Sequence, residues 1–223
     1  IKELAHSAQK QLQASTAVTI KRTHVYELLS AAFGVDSWAA FGFTAVLTIP
    51  KYPPLDYQVD ATAIRKRGLE LGYSSDVATI ASTELAIILK SLNVCAVGIT
   101  RLLDRLRGIP LADADRRTQA IVLDTLGNEW YATESLASPL LMECLEASAS
   151  KGLADAHYVL ALLHAPEEDD DDASAGDDYW YNQGQQGRPL TGVEKEWADA
   201  YAARLENDAK YEHHLREAAR FGS

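Results

Sequence analysis

The 223-residue chain is 47% hydrophobic and 24% charged, a balance that buries a core and excludes an intrinsically disordered chain. Its net charge of −11 works against general affinity for nucleic acid or anionic lipid, and no run of about 18 uncharged apolar residues is present to cross a bilayer. Cys95 and Cys144 are too few for a disulfide framework or a cysteine metal site, so two buried free thiols and a cytoplasmic setting are expected. The chain opens on Ile1 rather than Met, as expected of a segment of a longer protein, with or without a removed leader.

The charge is uneven. Residues 1–51 hold five Lys+Arg against three Asp+Glu (+2), residues 52–151 ten against thirteen (−3), and residues 152–223 six against sixteen (−10). The acidic last third suits a basic protein surface, and only the first segment suits a phosphate backbone.

Helical periodicity dominates. Leu4, Ala8 and Leu12 form one stripe, and KRTHVYELLSAAFG places Val25, Leu28, Leu29, Ala32 and Phe33 on one face before Gly34 stops it. Asp36 is positioned to cap a short helix bearing Trp38 and Phe41. Residues 43–49 lack that period and read as a short extended segment, ended by Pro50, Pro53 and Pro54, with a domain boundary near residue 55. Beyond it, Asp60 caps one helix and Ser75 or Asp76 the next; further helices are expected over 94–107, 113–126 and 135–150, with Pro139 in a first turn.

The most specific signal lies in the last third. LEASASKG (145–152) and LREAARFG (215–222) match in register 70 residues apart. That gap is one two-helix repeat of roughly 34 to 47 residues enlarged by an insertion. The insertion, 166–192, starts acidic and ends rich in Gly, Gln and aromatics, which reads as a solvent-exposed loop. Thr191 with Glu194 makes a capping box, after which Val193, Trp197, Tyr201 and Leu205 recur every fourth residue.

KGLADAHYVLALLH resembles the first helix of a Sel-one-like repeat, a relative of the tetratricopeptide repeat, with Gly152, Ala154, Ala156, Tyr158, Leu160, Ala161 and Leu163 in the pattern's places. Leu215, Ala218, Ala219 and Gly222 stand where the second helix of the repeat ends, although the family usually has an aromatic at the place of Leu215. The resemblance covers about residues 140–223. It implies an α-solenoid that holds other proteins as an adaptor or regulator, with further repeats after Ser223 or a cap formed by the preceding helices. The expected fold is therefore all-α: an N-terminal three-helix unit (1–55), a helical middle (56–135) and a repeat region (136–223).

Catalytic and metal signatures are missing from the sequence. His157 and His164 share a helical face but His213 and His214 diverge, and no His-Glu-x-x-His or paired-cysteine spacing occurs, so the histidines read as surface residues. No metal ligands, cofactor or catalytic residues are assigned, and the acidic run 167–172 lacks the ligand alternation of a calcium loop. Tyr179, Trp180 and Tyr181, with Glu167 and Asp170, are the expected contacts for a protein partner of basic character. The rival reading is a nucleic-acid-associated regulator using Lys21, Arg22 and His24 within residues 1–51.

Overall fold

The computed structural model describes residues 1–50, 58–106, 138–165 and 177–222. Helices α1 (Lys2–Thr16), α2 (Arg22–Ala32) and α3 (Trp38–Thr44) lead into strand β1 (Ala45–Thr48), then α4 (Ala61–Glu70) and α5 (Ser75–Ser91). Strand β2 (Cys95–Gly98) runs directly into α6 (Ile99–Leu106), followed by α7 (Pro139–Ala149), α8 (Ala154–Leu163), α9 (Asp177–Gln185) and α10 (Val193–Gly222). The described residues are mostly helical with two short strands, in line with the expected all-α class at that coarse level.

Local chemistry accounts for most helix starts. Ser37, Asp60, Ser74 and Ser138 each accept a hydrogen bond from a first-turn backbone N–H of α3, α4, α5 and α7. Such a cap is worth roughly 1 kcal/mol. Pro139 occupies the first turn of α7, where its missing N–H costs nothing. The expected Thr191–Glu194 capping box gives way to another arrangement: the Glu194 carboxylate pairs with Arg188, and the Gly192 carbonyl accepts from Lys195 and Glu196.

The helix expected over 94–107 is corrected. Asn93 sits in the left-handed region at φ 53° and turns the chain out of α5. Residues 95–98 then pair antiparallel with β1 in the register Ala45–Gly98, Val46–Val97, Leu47–Ala96, Thr48–Cys95. Val46, Leu47, Cys95 and Val97 are all buried. The helix begins only at Ile99. The helix expected over 113–126 lies outside the described residues.

One core runs through the molecule. Leu12, Leu28, Leu47, Leu85, Leu89 and Leu102 are at most 1% exposed and belong to a single cluster that extends to Leu145 and Leu160. Residues on both sides of position 55 contribute to it, so the boundary expected there divides the sequence without dividing the core. Helices α4 and α5 touch where a Cβ on Gly68 would come 3.1 Å from the Ala78 Cβ. Cys95 and Cys144 are buried free thiols.

Replacing Leu85 with Ala removes a fully buried side chain from this cluster and is expected to cost about 3 kcal/mol in urea denaturation. A loss below about 1 kcal/mol would show that the site collapses around the gap or that the cluster is loosely packed there.

Candidate functional site

Helix α10 is 30 residues long, about 45 Å, yet only Ala198 on it is buried. Two helices share its length. Along its N-terminal half lies α9: Arg204 pairs with Asp177 at 3.7 Å, the Tyr181 and Tyr201 rings are 5.2 Å apart, and the Arg188 guanidinium lies 4.8 Å from the Trp180 ring. Along its C-terminal half lies α8. There a Cβ on Gly222 would meet Ala154 at 3.4 Å, and one on Gly152 would meet the Phe221 ring at 3.2 Å. These small residues let the helix ends approach closely. Ala156, Leu160 and Ala161 are fully buried, while Tyr158, Leu163, Leu215 and Ala218 are half-buried and Ala219 is exposed.

The aromatic triplet does not stand on a loop: Tyr179, Trp180 and Tyr181 lie within α9. Asp177 and Asp178 open that helix, where carboxylates suit its dipole. Only Tyr179 is strongly exposed, at 49%, because Trp180 is covered by Arg188 and Tyr181 by Tyr201. Glu167 and Asp170 lie outside the described residues. The stripe read along α10 also splits. Tyr201 packs on α9, whereas Val193, Trp197 and Leu205 are 54%, 42% and 41% exposed. Trp197, read in the sequence only through its four-residue spacing, is therefore a surface side chain.

Charge around these side chains is one-sided. Each of the six basic side chains at positions 177–222 has a carboxylate partner: Arg188–Glu194, Lys195–Asp199, Arg204–Asp177, Lys210–Glu206, Arg216–Glu212 and Arg220–Glu217. Asp178, Glu196 and Asp208 are left over, with no ion pair among the described residues. Three carboxylates are thus in excess over the basic side chains of this segment.

Of the histidines expected at the surface, His213 is exposed, whereas His157, His164 and His214 converge between α8 and α10. His157 is 6% exposed and its Nδ1 lies 3.0 Å from the Nδ1 of His214. His164 stacks on His214 with ring centres 6.3 Å apart, His213 lies 5.0 Å from His214, and Phe221 stacks on His157 at 5.7 Å. The sequence signal was the seven-residue spacing of His157 and His164; the convergence of α10 upon it is tertiary. An Nδ1–Nδ1 contact of that length requires one nitrogen to donate and the other to accept, so both rings cannot be charged. Burial, reinforced by His157, His213, His164 and Lys210, pushes His214 down to about 4. Burial also lowers His157 and His164, against the opposing pull of Glu217 on the first and of Asn207, Glu146 and Glu206 on the second. Among the described residues, no group of three or more His, Cys, Asp or Glu is arranged to hold a metal ion.

At the N-terminal end, Arg22 is directed at His6 and Gln9, and His24 meets the Tyr73 hydroxyl at 2.8 Å. Two of the three groups suggested for phosphate contact are thus engaged within the fold. No family model, no curated protein and no solved structure matches this chain.

An unfolded imidazole titrates near 6.5, above the folded His214 value of about 4. The unfolded chain therefore takes up protons first, and the α8–α10 contact is at full strength above about pH 6.5 and weakens as pH falls toward 4. Thermal melting is expected to shift downward between about pH 7.5 and about pH 5, with His214→Phe flattening that dependence. An equal slope in the variant would remove the cluster from the account.

Proposed function

We propose that the chain is a non-catalytic adaptor whose docking face is α9 and the N-terminal half of α10. Its occupant is a protein segment with an apolar anchor flanked by Lys or Arg. The observation that carries this reading is the sparse packing of α10: a 30-residue helix with one buried residue that also exposes Val193, Trp197 and Leu205. A helix within a protein gains most of its stability from packing its apolar face, so such a face is incomplete in the free chain.

Trp and Tyr are the side chains that most often dominate binding energy, and Trp197 and Tyr179 supply both. Asp178, Glu196 and Asp208 set the polarity of the face and favour a basic partner over nucleic acid. The resemblance to a Sel-one-like repeat points the same way, since that family holds proteins. The close contacts of Gly152 and Ala154 with the end of α10 fit the small-residue logic of that repeat.

The test compares partner capture by the wild-type chain with capture by a Val193→Ser/Trp197→Ser variant. Point changes leave α9 in place, whereas deleting 167–186 would remove all of it. A specific partner should lose affinity by about tenfold or more in the variant, as for hot-spot truncation. Its binding should also weaken with salt and with Glu196→Lys/Asp208→Lys. Equal retention by both variants, or amide protection mapped to another face, would overturn the assignment.

A further inference from the structure

A cavity of about 270 Å³ opens between α2, α3 and α7, away from the docking face. One wall is an aromatic stack: Tyr26 on Trp38 at 4.9 Å and Trp38 on Phe41 at 5.3 Å, the last pair within 6° of parallel. Phe41 is buried at 2% exposure, so the stack is held from behind. Ala45 and Ala147 contribute only methyl groups, which is why room is left in front of it.

The polar groups at the rim are few and unequal. The Glu143 carboxylate accepts from the Lys2 backbone N–H, and the Ser148 hydroxyl donates to the Cys144 carbonyl. Lys151 has no carboxylate partner among the described residues. Its ammonium lies 5.4 Å from the Phe43 ring and so near α3 that a Cβ on Gly42 would come within 2.5 Å of it. Gly42 thus lets a cation lie against the helix at the cavity's edge. With Lys2 also on the rim, the side chains give a net positive lining on a chain of net charge −11.

We infer that this cavity binds a small amphipathic anion, a flat aromatic or short aliphatic carboxylate whose body lies on the Tyr26–Trp38–Phe41 stack and whose head meets Lys151. An apolar recess with one convergent charge is the usual make-up of a small-molecule site. An aromatic face and an unpaired ammonium select for both halves of such a ligand.

The probe is naphthoate, set against the neutral naphthylmethanol of similar size and followed by calorimetry and by quenching of tryptophan fluorescence. Naphthoate is expected to bind one per chain and more tightly than the alcohol. Lys151→Gln should weaken naphthoate by about tenfold and leave the alcohol unchanged, the fold-change set by one charge-assisted contact. Ala147→Trp, made at an exposed position on the cavity wall, should abolish binding of both. Lack of naphthoate binding at about 1 mM, a bare few kcal/mol of affinity, would overturn the inference. So would binding that neither substitution alters.

Discussion

Strands β1 and β2 join stretches of chain that are remote in sequence, and the helices are arranged around that join. A pair of four-residue strands alone in water is marginal at best. Here the ladder survives because Val46 and Leu47 are fully buried and Val97 nearly so, which leaves the backbone groups of both strands no better partners than each other. The ladder also fixes its neighbours. Helix α3 runs straight into β1, α6 starts at the residue after β2, and the Thr48 hydroxyl meets that of Ser138, the cap of α7, at 3.4 Å. Helices α3, α6 and α7 are positioned through those contacts.

How much of this the sequence carried depends on range. Stripes such as Leu4, Ala8 and Leu12, caps such as Asp60, and the proline at the start of α7 act within a turn or two, and local patterns disclosed them. Strand β1 was visible because Val46 and Leu47 break the helical period before Pro50. Strand β2 was hidden because the short apolar run 94–97 between two helices fits a helical period as well as a strand, and the left-handed Asn93 marks the turn. The exposed face of α10 and the histidine cluster were hidden for another reason. Whether Trp197 is core or surface, and whether His213 and His214 meet His157, depends on where a long helix comes to lie. Periodicity fixes a helix's faces and leaves its neighbours open.

The two ends of α10 are held by different chemistry. Toward α9 the contact is aromatic and ionic, with Arg204 and Arg188 bridging. Toward α8 it is a stack of imidazoles closed by Phe221. Ala198 is the one buried side chain on the helix, and the i,i+4 ion pairs along it add only a few tenths of a kcal/mol each. Covering Trp197 and Leu205 would thus bring to this helix apolar burial that the other described residues do not provide.

Burial of the two thiols has a consequence for chemistry rather than for packing. Desolvation pushes Cys95 up to about 12 and Cys144 up to about 11, so at neutral pH almost no thiolate exists at either position. The thiolate is the species that attacks disulfides and alkylating reagents. Cys95, paired opposite Thr48 in the ladder, can react only when the strands part. Its alkylation rate is therefore a clock for ladder opening, one that ticks without any probe being added to the chain.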